Sequence, residues 1–129
     1  MKIERFEDVQ SWQAGRELAR LVYDATREPA FARDFGLRDQ IQRAAGSVMH
    51  NVAEGFESGT DAEFARYLKI ARRSASEVQS QTYLALDLEY VDKGRFDAIY
   101  AKANDAKRLI NALIGYLNRS RQAALKGTT

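Results

Sequence analysis

Apolar residues recur at helical spacing along nearly the whole chain, in four long runs. The first, residues 8–27, sets Val9, Trp12, Ala19, Val22, Tyr23 and Thr26 on one face. Pro29 in "EPAF" should stop it, because proline disfavours helix at the preceding residue and donates no backbone hydrogen bond. The second run, residues 36–57, carries Leu37, Ile41, Ala44, Ala45, Val48, Val52 and Phe56. Gly59 in "ESGT" suits the left-handed turn after a helix, and "TDAE" reads as a capping box in which Thr60 caps and Glu63 reaches back. The third run spans residues 60–90 and "DKG" breaks it; the fourth spans residues 94–119, leaving 120–129 as a frayed tail. Long amphipathic helices with short connections predict an all-α, up-down-up-down antiparallel four-helix bundle, a single domain over residues 1–129.

Two of the runs carry a second apolar stripe. Ala14, Leu18, Leu21 and Ala25 lie away from Trp12 and Val22; Ala98, Leu109, Ala112 and Tyr116 lie opposite Phe96 and Ile110. A helix apolar on two sides usually has a second partner, so Leu18, Leu21, Leu109 and Tyr116 become candidates for a self-association surface. The plainer reading is scattered surface alanine and leucine, which is normal in monomers.

A polar edge borders the second stripe, with Arg43, Ser47, Asn51 and Glu54 at helical spacing. The third run has its own polar edge at Ser74, Glu77 and Gln81. Counting outward from Gly59 brings Arg43 level with Ala75, within one turn of Glu77. This predicts an interhelical polar network with an Arg43–Glu77 ion pair, fixing alignment more than adding stability. A ligand shelf is the alternative use of the same groups.

Composition narrows the function. A chain of 129 residues, 45% hydrophobic and 29% charged, can bury one core. It has no cysteine, no signal-like start in "MKIERFEDVQSW" and no membrane-length apolar run, which points to the cytoplasm. Net charge is +2, but residues 1–92 hold 12 Lys+Arg against 16 Asp+Glu while residues 93–129 hold 8 against 2. That asymmetry suggests an anionic partner contacted by Arg95, Lys102, Lys107, Arg108, Arg119, Arg121 and Lys126. These residues circle the fourth run instead of lining up, so phosphate contact with little base preference is expected. A solvated basic face is the competing reading. Catalysis finds no support: His50 is the only histidine, and no metal motif, phosphate loop or thiolate is present, so no enzyme activity, cofactor or metal is expected.

Three stretches carry a family resemblance: "FEDVQSWQA" from Phe6, "FGLRDQIQRAAGSVMHNVAEG" over Phe35 to Gly55, and "FARYLKIARRSASEV" over Phe64 to Val78. Together they resemble the four-helix-bundle proteins encoded in intervening sequences of bacterial 23S ribosomal RNA genes. More distantly the chain is similar to the accessory variability protein of retroelements, which binds nucleic acid and a reverse transcriptase. Two departures stand out. Arg73-Ser74 replaces the usual Gly-Ser pair, and Pro29 precedes Phe31 where the connector usually reads Phe-Pro. The resemblance implies a small cytosolic, non-enzymatic bundle that forms ring-shaped homopentamers. With the basic C-terminal segment, it suggests a homo-oligomeric scaffold, pentamer favoured, that binds RNA or a ribonucleoprotein. A protein–protein interaction module without a nucleic-acid role is the alternative.

Overall fold

Short connections dictate the topology. In the computed structural model, which describes residues 3–127, a 3-10 turn at Phe6–Asp8 leads into α1 (Gln10–Ala25), a short α2 (Pro29–Arg33), α3 (Phe35–Glu57), α4 (Asp61–Asp87) and α5 (Lys93–Gly127). The three residues between α3 and α4, and the five between α4 and α5, allow only antiparallel neighbours. α1 and α4 each pack on both α3 and α5, giving a four-helix bundle around one core. The expected fold is therefore the fold observed.

Local chemistry sets most helix ends. Gly59 adopts φ +92, the left-handed turn expected of it, and Thr60 Oγ accepts the Glu63 amide at 3.2 Å. The reciprocal half of the capping box does not form, because the Glu63 carboxylate pairs with Arg66 at 3.0 Å instead. That guanidinium holds Glu63 below the usual carboxylate range. Pro29 stops α1 but opens α2, where its missing N–H costs nothing. Asp34 then caps α3, its Oδ1 accepting from the Leu37 amide at 3.1 Å.

α4 ends at Asp87, three residues earlier than the sequence suggested. Glu89 there takes φ +61, and the amide of Tyr90 bonds back to the Ala85 carbonyl at 2.8 Å. This turn, unusual for a non-glycine residue, swings Tyr90 onto Phe31, ring centroids 5.2 Å apart. The Tyr90 hydroxyl donates to Asp34 Oδ2 at 2.9 Å. That bond to a carboxylate, aided by burial, raises the phenol above its ordinary range. At the other extreme, the frayed tail expected at 120–129 is helical to Gly127, with 121–126 exposed; residues 128 and 129 lie outside the described residues.

The first helix required a correction. Leu18 is fully buried, with Ser11, Ala14, Gly15, Val22 and Ala25 beside it, whereas Tyr23 is exposed and Trp12 only half-buried. α1 faces α3 and α5 together, so its inward line bisects the two neighbours and favours small residues. A Cβ on Gly15 would sit 3.1 Å from the Met49 backbone nitrogen of α3. Trp12 instead packs edge-on against Phe6 at 5.3 Å.

α3 and α4 approach closely at Gly55, where an added Cβ would meet Phe64 Cδ1 and Tyr67 Cβ at 2.8 Å. Helix propensity alone favours alanine over glycine by about 1 kcal/mol. At Gly55, overpacking of about 1–3 kcal/mol outweighs that gain. Gly46 has ordinary contacts, the nearest His50 atoms being 3.6 Å away. Urea denaturation should therefore show Gly46→Ala stabilised and Gly55→Ala destabilised; the same sign at both sites would contradict the close-crossing account.

Candidate functional site

The polar edges of α3 and α4 meet, but through hydroxyls. Ser47 Oγ and Ser74 Oγ share a hydrogen bond of 2.8 Å, and Asn51 Nδ2 donates to the carbonyl and the hydroxyl of Ser47 at 2.8 and 2.9 Å. Ser74 is buried and Ser47 half-buried. Arg43 and Glu77 line the same groove, with Gln40 and Gln81, yet no ion pair joins them among the described residues, and both are exposed. Glu54 is exposed and takes no part. The predicted lock thus exists as a neutral seam of Ser47, Asn51 and Ser74, not as a salt bridge. Two long charged side chains with water beside them gain little from a fixed pairing, so they diverge.

A second cross-helix network escaped the sequence reading. Gln79, buried on α4, donates from Nε2 to Asn104 Oδ1 at 2.8 Å and to the Tyr100 carbonyl at 3.3 Å. Its Oε1 accepts from Lys107 Nζ at 3.1 Å. Arg72 Nη1 reaches Asn111 Oδ1 at 2.7 Å across the same helix pair. Only a glutamine at an apolar-periodic position, between Val78 and Thr82, could have hinted at it.

The residues proposed for self-association separate. Leu18 lies in the subunit core and is removed from that set; Leu21 is half-buried and packs against the core. Leu109, half-buried against the core like Leu21, and the exposed Tyr116 together line a mainly apolar cleft between α5 and the start of α1 with Ile3, Val9, Ala112 and Leu113, edged by Asp8 and Gln10. The cleft measures about 410 Å³, enough to take inserted side chains. Ser11 lies in its wall, its hydroxyl buried and without a hydrogen-bond partner.

The basic residues of α5 also sort into two groups. Arg95 pairs with Glu28 at 3.6 Å, and Lys102 and Arg108 flank Asp105 at 3.5 and 3.9 Å. Lys107, Arg119 and Arg121 make no ion pair among the described residues, and Lys126 is exposed. His50 is exposed, and the described residues hold no group of three His, Cys, Asp or Glu side chains able to bind a metal. No helix among them is long and apolar enough to cross a membrane.

Comparison with known proteins places this geometry. The family model described as 23S rRNA-intervening sequence protein matches residues 7–112, ending inside α5 before Tyr116 and Arg119. A solved structure, of a protein with unknown function from the S23 ribosomal protein family of Bacteroides thetaiotaomicron, is similar with a TM-score of 0.74 and 23% identity. The match covers 81% of this chain and 95% of that one, and it shows the fold. No curated protein matches the chain.

The neutral seam makes a graded stability prediction. Ser47→Ala removes the partner of the Ser74 hydroxyl and one of the two acceptors of Asn51, and should cost about 1–2 kcal/mol. Ser74→Ala should cost less, because Asn51 still satisfies Ser47. A double-mutant cycle should return at least about 0.5 kcal/mol of coupling. Arg43→Ala should stay within about 0.5 kcal/mol of the parent; a loss near 3 kcal/mol would restore the ionic lock and overturn this reading.

Proposed function

Because the chain belongs to the family of 23S rRNA-intervening sequence proteins, we propose that it is a non-catalytic, homo-oligomeric scaffold that binds RNA or a ribonucleoprotein in the cytoplasm. The carrying observation is the apolar cleft of Leu109, Ala112 and Tyr116 against Ile3 and Val9. A second subunit laid on this cleft would cover apolar surface and could satisfy the Ser11 hydroxyl, whose isolation costs about 1–3 kcal/mol. Leu109 is half-buried and Tyr116 is 38% exposed, so both present apolar surface at the cleft. The resemblance favours five copies in a ring. Repetition of one basic face around an axis strengthens weak anion contacts through multivalency. Unneutralised Lys107, Arg119 and Arg121, and the net charge of the last 37 residues, support RNA as the ligand. The cysteine-free composition suits a reducing compartment.

A second reading, a protein-interaction module without RNA, draws on exposed Tyr83, Leu84 and Leu88 at the end of α4. Salt-sensitive retention on immobilised RNA favours the first reading; its absence favours the second.

Assembly has its own test. Sedimentation at micromolar concentration should show an oligomer for the parent chain. Leu109→Asp should dissociate it with helicity by circular dichroism largely kept, whereas Leu18→Asp should unfold the subunit, because that charge would enter the core. A monomeric parent, or a Leu109→Asp variant that assembles normally, would remove the cleft from the interface.

A further inference from the structure

We propose that Lys69, Arg72 and Arg73 of α4, with Lys107 of α5, form a phosphate-binding site whose ligand is the backbone of an RNA strand. The site deepens the RNA reading above and rests on it. Three of its four residues lie in the acid-rich part of the chain, where net charge of −4 conceals them.

Positions 69, 72, 73 and 76 are spaced i, i+3, i+4 and i+7, which puts them on one face of α4. Across a shallow groove, α5 adds Lys107, and the lining is Lys69, Arg72, Arg73, Ser76 and Lys107. No carboxylate lines it, and none of the four cations makes an ion pair among the described residues. Several other cations of the protein are paired. Arg20 bridges Glu17 and Asp24, Arg66 pairs with Glu63, Lys93 with Asp97, and Lys102 and Arg108 with Asp105. Concentrating four cations with no acid raises their mutual repulsion, which a bound anion relieves.

Two of the four are also held in place. Arg72 donates to Asn111 Oδ1 and Lys107 donates to Gln79 Oε1, both neutral amide oxygens. Such acceptors fix direction without cancelling charge. Gln79 is itself buried and tied to α5 by Asn104 and the Tyr100 carbonyl, so the acceptor that orients Lys107 is itself fixed by hydrogen bonds. A pre-positioned cation loses less side-chain freedom on binding than a mobile one.

The shape selects phosphate over base. No aromatic residue lines the groove on which a base could stack, and no slot would enclose one. Lys69 and Arg73 lie about 6 Å apart along the helix axis, a length that spans neighbouring backbone phosphates in a strand. Contacts of this kind position a strand without reading its sequence.

The test is the salt dependence of binding to a fluorescein-labelled 20-nucleotide polyuridine. Lys69 and Arg73 are exposed and their side chains make no hydrogen bond or ion pair among the described residues, so K69Q/R73Q should fold like the parent. Each phosphate contact to a single strand contributes about 0.7 to the log–log salt slope, so the double variant should be flatter by about 1.4. Its affinity at low salt should fall at least about tenfold. R119Q/R121Q removes the same charge from the end of α5 and should flatten the slope less. If K69Q/R73Q binds as the parent does, or if R119Q/R121Q loses as much, the site is wrong while the RNA reading stands. A parent chain that shows no salt-sensitive binding overturns both. Polyglutamate that competes as well as polyuridine per charge would make the ligand a carboxylate partner and overturn the phosphate assignment.

Discussion

The close crossing of α3 and α4 fixes the rest of the molecule. Gly55 lets the Phe64 and Tyr67 region of α4 come within a distance that a methyl group would prevent. Eight residues back along α3, the Ser47–Ser74 hydroxyl pair pins the same two helices. A tight approach at one level and a directional bond at another leave α4 no freedom to slide or rotate. Its remaining faces are then determined. Gln79 points inward to α5, and Lys69, Arg72 and Arg73 are carried to the outer groove beside Lys107.

Electrostatics divides the surface into balanced and unbalanced parts. Ion pairs between exposed side chains one helical turn apart contribute little to stability. Their consequence is different: they consume Arg20 of α1, Arg66 in the first turns of α4 and several cations of α5. Cations without an ion pair cluster in the α4–α5 groove and in the last turns of α5, whereas Arg16, Arg33 and Arg43 stand singly on α1, α2 and α3. The C-terminal charge excess seen in the sequence is therefore partly offset in space, since Arg95 and Arg108 both have acidic neighbours. Charge that matters to an anion is charge left without a carboxylate.

The four helices, the Gly59 turn and the Thr60 cap were legible because each is a local property: periodicity, a left-handed glycine, a hydroxyl before a helix. The α4 end was not, because a glutamate takes the left-handed position that sequence reading reserves for glycine or asparagine. The inward line of α1 was misread for a related reason. Trp12 and Tyr23 weigh heavily in any apolar count, but the line between two neighbouring helices has room for Ser11, Ala14 and Gly15 and not for those rings. At the seam, the residues were identified and the chemistry was not. Counting from the turn brought Arg43 and Glu77 to one level, yet level does not set direction, and both lie exposed. Lys69, Arg72 and Arg73 went unnoticed because their charges average away along the chain and reappear only once Lys107 is brought beside them.

The central claim is that the unbalanced α4–α5 groove is where the protein meets RNA. Ultraviolet cross-linking of the intact protein to 4-thiouridine-substituted RNA, followed by peptide mass spectrometry, tests it most directly. The account predicts adducts on the α4 segment from Lys69 to Ser76 and on the α5 peptide containing Lys107, weakening as salt is raised. Adducts confined to the α3–α4 groove around Arg43, or to the acidic first turns of α4, would contradict it.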